Sequence, residues 1–181
     1  MPHLLPVCAA LLALGASALV GVALALDPDY YPHAAGRAWV YSSGETQVAG
    51  AAVTYRGVRV VPVNHQFGQA LVRQDLMEYR ADGSVWLRGV NAGGRLGWYA
   101  APLNVYPPGP LRVGQTWQTG SAQSRVVGTA GVKLAPGTYN ALVISTAAVG
   151  ARPQLTYFVP SLGVVRYQTA DGNVTDLVRG R

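Results

Sequence analysis

The chain has 181 residues, of which 50% are apolar and 12% are charged. A disordered chain has few apolar residues and many charges, so this composition indicates a folded protein. The 22 glycines and 12 prolines argue against a helical bundle, and the single cysteine excludes a disulfide scaffold or a cysteine-rich zinc module. The net charge of +6 is a moderate excess, spread along the chain without a basic run.

The first 25 residues have the pattern of an export signal. No charged residue occurs from Val7 to Leu26, and Ala23-Leu24-Ala25 has the small-x-small pattern that precedes a signal-peptidase cut. We expect cleavage after Ala25 and an exported domain of residues 26–181, located in the periplasm, in the cell envelope or outside the cell. The alternative is an uncleaved membrane anchor, because about 20 helical residues span a bilayer. In that case this segment is the membrane contact of the protein.

The rest of the chain is predicted to form strands. Short segments rich in Val, Thr, Tyr and Trp are separated by turn residues about every 8–12 residues, and no segment keeps an amphipathic helical pattern between caps. In chain order, the predicted strands are Arg37–Ser42, Thr46–Val53, Tyr55–Val63, Ala70–Arg80, Ser84–Val90, Arg95–Ala101, Thr116–Val127, Tyr139–Ala147, Gln154–Val159, Val164–Thr169 and Val174–Val178. The pattern predicts a single all-β domain, mainly antiparallel, in the form of a curved sheet or half-barrel.

Local patterns predict how these strands are connected. Asp82-Gly83 and Asp171-Gly172 each lie between two strand-like segments and predict two-residue hairpin turns, which need positive φ angles. The segment Gly68–Tyr79 also has a helical face, but its alternation runs directly into the first Asp-Gly turn and favours a strand. The proline-rich segment Ala101–Pro110 predicts an extended loop, because proline cannot donate a hydrogen bond in a central strand.

The sequence offers few groups for catalysis. Beyond the predicted signal there are two histidines, His33 and His65, and neither has a metal-ligand spacing to another histidine or an acid. No Gly-x-Ser-x-Gly elbow, phosphate-binding loop or dinucleotide-binding fingerprint occurs. We therefore expect no catalytic residue, no metal site, no cofactor and no enzyme. An enzyme would need His65 to meet an acid, such as Asp75 or Glu78, in the folded chain.

Aromatic side chains are the candidates for ligand contact. Trp86, Trp98 and Tyr99 lie close to arginines in the sequence, a combination that suits either a stacking platform for nucleic acid or the wall of an apolar pocket. The export signal argues against a nucleic-acid partner, so an apolar ligand is the functional interpretation of these three residues. Ordinary core and cross-strand packing is the alternative.

Four segments of the predicted domain resemble motifs of a known family. In chain order, the four segments are Tyr30–Tyr41, Pro110–Trp117, Ala135–Ile144 and Tyr157–Tyr167. The first contains the pattern Y-P-x-x-x-G-x-x-W-x-Y. The third resembles an element of the form P-x-G-T-[FY]-x-A, and the fourth contains P-x-x-G-[IVL]-[IV]-[KR]. In this order they are similar to a broad family of uncharacterised exported bacterial proteins. That family resembles, in its architecture, the half-barrel of lipoprotein carriers of the LolA and LolB type. The resemblance implies a fold and carries no catalytic residue over to this chain.

The expected function is therefore that of an exported, non-catalytic envelope protein with a binding or structural role. The alternative is a carrier or binder of lipid, or of another apolar ligand, in the concavity of the sheet. An apolar ligand or another envelope component is the expected partner, and the sequence does not fix the oligomeric state. An apolar cavity of roughly 300 Å³ or more favours a carrier, and His65 beside a carboxylate in a cleft reopens catalysis.

Overall fold

The computed structural model describes residues 29–180, and every regular element in it is a β-strand. The predicted signal segment, with its cleavage site after Ala25, lies outside the described residues. The strands are β1 (Ala38–Tyr41), β2 (Glu45–Ala49), β3 (Val53–Tyr55), β4 (Val58–Phe67), β5 (Ala70–Tyr79), β6 (Val85–Ala92), β7 (Arg95–Tyr106), β8 (Thr116–Thr119), β9 (Ala122–Leu134), β10 (Gly137–Ala148), β11 (Gln154–Val159), β12 (Gly163–Gln168) and β13 (Val174–Gly180). The predicted all-β class and the single domain are confirmed.

All the strands belong to one antiparallel sheet that curves almost into a closed barrel. Its order is β7-β6-β5-β4-β2-β1-β13-β12-β11-β10-β9-β8, and β3 pairs with β4 beside this path. The two end strands, β7 and β8, meet through side-chain hydrogen bonds. The Trp117 indole donates to the Val105 carbonyl oxygen at 3.0 Å, and the Thr119 hydroxyl donates to the Asn104 carbonyl oxygen at 2.6 Å. These bonds engage backbone carbonyl groups at the edge of β7, where no further strand forms a backbone ladder.

Because neighbouring strands are antiparallel, their turns gather at two ends of the sheet. The β1–β2, β4–β5 and β6–β7 turns lie at one end, which we call the Glu45 end because β2 begins there. The β5–β6 and β11–β12 turns lie at the opposite end. We call this the Tyr30 end, because the Tyr30 carbonyl oxygen accepts a hydrogen bond from Ser161 in the β11–β12 turn, and its hydroxyl accepts one from the Leu111 amide.

The buried side chains form two clusters. The first fills the Tyr30 end around Phe158, which is 1% exposed and has ring contacts with Tyr30, Tyr31 and Tyr106 at centroid distances of 5.4–5.6 Å. The second cluster lies around β1, β12 and β13. Its buried members are Trp39, Tyr41, Ala49, Val61, Val132, Ala141, Val165 and Leu177.

Several predicted boundaries are wrong. The predicted strands Thr46–Val53 and Tyr55–Val63 are three strands, β2, β3 and β4, and a turn at Arg56-Gly57, where both φ angles are positive, separates β3 from β4. The segment predicted as the loop Ala101–Pro110 is in part strand, because β7 continues through Pro102 to Tyr106. β7 is an end strand of the path, where proline is tolerated. The predicted strand Thr116–Val127 is two strands, β8 and β9, separated by a tight turn at Gly120, where φ is +60°.

The two Asp-Gly hairpins are confirmed, but their turns are longer than predicted. The Arg80 amide donates to the Ser84 carbonyl oxygen, and Thr169 pairs with Asn173 in the same way, so each loop has three residues. Only the glycines have positive φ, +79° at Gly83 and +91° at Gly172. A three-residue hairpin with glycine in the left-handed region is a standard alternative to the two-residue turn.

The choice of strand over helix for Gly68–Tyr79 is confirmed by β5, which spans Ala70–Tyr79. The alternation seen in the sequence places one set of β5 side chains on the inner face of the sheet. Within residues 29–180, no helix is long and apolar enough to span a membrane.

Candidate binding cavity

The inner face of the curved sheet lines a cavity of about 300 Å³ that opens to solvent. Most of its lining is apolar or aromatic, with Met77, Leu87, Val105 and Phe158 among the contributors. The charged lining residues are His65, Arg73 and Asp75, and Gln47 lies with them. A largely apolar pocket with a few convergent polar groups is the usual form of a small-molecule site, and this volume is at the lower end of the range.

Strand geometry explains how the polar groups come together. Successive side chains of a strand point to opposite faces, so Arg73, Asp75, Met77 and Tyr79 of β5 all line the cavity. His65 of β4 is paired with Arg73 in the antiparallel register, and Gln47 of β2 is paired with His65. The polar groups therefore lie side by side across three adjacent strands, near the Glu45 end.

His65 lies between two carboxylates. Its Nδ1 is 2.6 Å from Glu45 Oε1, and its Nε2 is 3.2 Å from Asp75 Oδ2. A carboxylate only accepts hydrogen bonds, so both ring nitrogens must carry a proton to satisfy this geometry. With both carboxylates ionised, this geometry favours the imidazolium form of His65. All three side chains are mostly shielded, with exposures of 13–21%.

Arg73 completes the cluster. Its Nε donates to Asp75 Oδ1 at 2.6 Å and its Nη2 donates to Asp75 Oδ2 at 2.8 Å, a bidentate pair. Gln47 Nε2 donates to Glu45 Oε1 at 3.2 Å. The two carboxylates balance the imidazolium and the guanidinium, so these four ionised side chains, which we call the charge cluster, have no net charge.

The charge cluster shifts the pKa values of its members. Burial disfavours the imidazolium of His65, but the hydrogen bonds to Asp75 and Glu45 outweigh burial and raise its pKa above the ordinary value of 6.5. Burial likewise disfavours the Asp75 carboxylate, but hydrogen bonds from His65 and Arg73 lower its pKa below 3.8. Each partner therefore holds the other in its charged form.

The opposite wall of the cavity is aromatic. Tyr31 stacks on Tyr106 with ring centroids 4.6 Å apart, and burial raises the pKa of both hydroxyls, which therefore stay protonated. The Tyr31 hydroxyl is buried without a hydrogen-bond partner among residues 29–180. Gly163 lines this wall at φ +99°, and a Cβ there would lie 3.1 Å from the Trp39 indole nitrogen.

The three predicted ligand contacts lie elsewhere. Trp86 is on the face opposite to its neighbours Val85 and Leu87, which line the cavity, and the Arg80 guanidinium is 4.4 Å from its ring centroid. Trp98 packs against Tyr55, with ring centroids 5.2 Å apart. Tyr99 is within electrostatic reach of Arg73 but is not part of the lining. Ligand contact at Trp86, Trp98 and Tyr99 stays a prediction, and other side chains form the cavity described here.

Of the two acids considered as partners for His65, the structure selects Asp75. Glu78 instead binds Arg80 and Arg88, at 3.1 Å and 2.7 Å. Glu45 was missed, because its contact with His65 depends on the β2–β4 pairing, for which the sequence contains no local signal. His33, the second histidine, stacks on Tyr79 with ring centroids 3.9 Å apart.

No group of three or more metal-ligating side chains arranged to hold a metal ion occurs within residues 29–180. Comparison of the chain with family models, with curated proteins and with solved structures found no match. The geometry of the cavity therefore carries the functional argument alone.

Proposed function

We propose that this chain is a non-catalytic binding protein that holds a small apolar or amphipathic molecule inside its barrel-like sheet. The observation that carries this proposal is the cavity of about 300 Å³, with its mainly apolar lining and a compact group of polar side chains. A purely structural sheet gains most stability by filling its interior, since close packing is the rule in protein cores. An unfilled interior of this size is better explained by a ligand.

A carrier function suits the shape of the interior. The side chains of β5 to β7 present Met77, Leu87 and Val105 to the cavity, and Phe158 of β11 faces them. Burial of apolar surface contributes roughly 25 cal/mol per Å², so a ligand that covers these side chains gains affinity from contact area alone. The polar group of an amphipathic ligand would then lie near the charge cluster.

The charge cluster also raises the question of catalysis, because His65 lies beside two carboxylates in a cavity. A general base needs a ring nitrogen with a free lone pair. Both nitrogens of His65 lie at hydrogen-bond distance from carboxylate oxygens, so neither faces a substrate in this geometry. This arrangement supports a role in binding and in fixing the strands, and we propose no reaction.

The proposal keeps the predicted exported location. Amino-terminal sequencing of the protein purified from the envelope fraction tests it, with Leu26 expected as the first residue. An intact amino terminus would instead support the membrane-anchored alternative. The similarity to exported carriers stays a prediction that such a result would strengthen.

The test of the cavity is a titration with a neutral apolar dye, N-phenyl-1-naphthylamine, whose fluorescence rises on transfer from water. We expect one saturable site, and we expect Leu87→Trp, which fills the cavity, to weaken dye binding at least tenfold. Val127→Trp is the matched control, because Val127 is 50% exposed on β9 and outside the cavity lining. Circular dichroism verifies that both variants fold.

Two results would contradict the binding function. One is the absence of saturable dye binding by the wild-type protein. The other is equal dye affinity in Leu87→Trp and the wild type, which would place the dye elsewhere. Native mass spectrometry of the protein from the envelope fraction adds an independent measurement, since a bound mass released on denaturation identifies the natural ligand.

A further inference from the structure

The polar groups of the cavity differ in how much of their hydrogen-bonding capacity is already used. Asp75 is the carboxylate of the lining, and both of its oxygens accept hydrogen bonds from Arg73, with a third bond from His65. Glu45 lies behind His65 and is not part of the lining. Both oxygens of the one carboxylate that lines the cavity are therefore engaged. Glu45 accepts from His65 and Gln47 and does not line the cavity, and the amide oxygen of Gln47 is a neutral acceptor in the lining.

The hydrogen-bond donors of the cavity, in contrast, are only partly used. A guanidinium carries five N–H donors, and Arg73 uses two of them on Asp75. Arg73 is 48% exposed, so its remaining donors are accessible from the Glu45 end of the cavity. Tyr79 and Tyr106 also line the cavity, and burial raises the pKa values of their hydroxyls and keeps them protonated. Tyr167 lines it as well, but its hydroxyl is hydrogen-bonded to Gln47 and Tyr41.

Resting on the function proposed above, we infer that the natural ligand is a monoanionic amphiphile, an apolar chain with a carboxylate head. The head binds the free N–H donors of Arg73, and the chain lies against Met77, Leu87 and Phe158. A head group that only accepts hydrogen bonds matches a wall with unused donors, and charge-assisted bonds from guanidinium to carboxylate are about twice as strong as neutral ones. An ammonium head finds one carboxylate in the lining, Asp75, whose two oxygens already accept three hydrogen bonds.

The charge of the head is also limited. The charge cluster has no net charge before the ligand binds. A monoanionic head group adds one negative charge, which faces the unused N–H donors of Arg73. A phosphate monoester carries about −1.5 to −2 charges at neutral pH. It would place more negative charge beside Asp75 and Glu45 than one arginine compensates. A carboxylate is the head group that this site suits best.

The experiment compares three amphiphiles of the same chain length, dodecanoate, dodecanol and dodecylammonium, each displacing the neutral dye from the purified protein. We expect dodecanoate to bind at least tenfold more tightly than dodecanol, and dodecylammonium to bind most weakly. In Arg73→Gln, dodecanoate affinity should fall to that of dodecanol, while dodecanol affinity stays unchanged. Arg95→Gln is the control, because it removes the same charge from an exposed position at the start of β7.

The outcomes separate this inference from the function on which it rests. If all three amphiphiles bind with similar affinity, the cavity is a binding site but the head-group assignment is wrong. Tighter binding of dodecylammonium than of dodecanoate, or equal losses in Arg73→Gln and Arg95→Gln, also overturns the assignment. If none of the amphiphiles nor the dye binds, the binding function itself fails. Should Arg73→Gln not fold, the wild-type series and Arg73→Lys, which keeps the charge but loses the planar fork, decide the question.

Discussion

The two ends of the barrel-like sheet are built from different side chains. At the Tyr30 end, aromatic rings fill the interior, and Phe158 is almost completely buried among Tyr30, Tyr31 and Tyr106. At the Glu45 end, the ionised side chains of His65, Arg73 and Asp75 line a cavity of about 300 Å³ that extends between the two regions, and Glu45 pairs with His65 outside this lining.

This difference supports the proposal that stability and ligand binding depend on different parts of one sheet. Buried aromatic rings stabilise by removing apolar surface from water and are insensitive to pH near neutrality. Ion pairs contribute less to stability, because desolvation offsets much of their attraction, but they present charged donors to a ligand. Variants at the two ends should therefore change different measured quantities.

The largest expected effect is at the Tyr30 end. Phe158→Ala should lower the free energy of unfolding by about 3–5 kcal/mol, because it removes the ring at the centre of the aromatic cluster and leaves a void. Chemical denaturation measures this change. Val149→Ala is the control, since Val149 is fully exposed and its truncation should change stability by no more than about 0.5 kcal/mol. A similarly small effect of Phe158→Ala would show that this end is not the main source of stability.

The next effect is at the charge cluster. Asp75→Asn should lower the free energy of unfolding by about 2 kcal/mol, because hydrogen bonds to charged groups contribute roughly this amount. It should also raise the affinity for dodecanoate, since it releases the donors of Arg73 that Asp75 occupies. Denaturation and dye displacement measure the two quantities.

Glu78→Gln is the matched control for Asp75→Asn. Glu78 is shielded to a similar degree, 16% exposed against 13%, and also contacts two basic side chains, but it does not line the cavity. We expect a loss of stability without a change in dodecanoate affinity. A rise in affinity in both variants would point to overall charge as the cause and would contradict a specific role for Arg73.

A smaller effect is expected where the sheet closes. Thr119→Val removes the hydroxyl that donates to Asn104 and should lower the free energy of unfolding by about 1 kcal/mol. Hydrogen exchange of the β7 amides should become faster at the same time, because the β7–β8 contact loosens. Thr116→Val, an exposed position on the same strand, should leave both quantities unchanged. Equal exchange in the two variants would mean that other contacts keep the sheet closed.

The strands were predictable from the sequence, because alternation and turn residues are local properties of the chain. The alternation of β5 already placed Arg73, Asp75, Met77 and Tyr79 on one face, and that face lines the cavity. The prediction of a loop at Pro102 was wrong, because β7 continues through this residue. Proline is tolerated there since β7 lies at the end of the sheet, and that position depends on the whole topology.

The site was less predictable than the strands. Asp75 is one of the two acids that the sequence offers as a partner of His65. Glu45 joins them through the pairing of β2 with β4, which no local sequence pattern predicts. Trp86 and Trp98 are predicted ligand contacts because aromatic rings near arginines suit the wall of a pocket. Trp86 is nevertheless on the outer face, by the same alternation that places Leu87 inside. The composition of the chain does not reveal which face of each strand encloses a cavity.

The smallest expected effect is a pH dependence confined to the Glu45 end. The folded-state pKa of His65 is raised above 6.5, so its stabilisation is complete below about pH 6.5 and is lost as the pH rises through the raised value. The pKa of Asp75 is lowered, so its contribution is present above about pH 3.8 and is lost as the pH falls through the lowered value. The free energy of unfolding should therefore decrease above pH 6.5 in the wild type and decrease less in His65→Gln, which cannot titrate.

Phe158→Ala, at the other end, should be destabilised by the same amount at every pH in this range, because the tyrosine hydroxyls around it stay neutral. If His65→Gln kept the wild-type slope on the alkaline side, the imidazolium between Glu45 and Asp75 would not be the group that makes this end sensitive to pH.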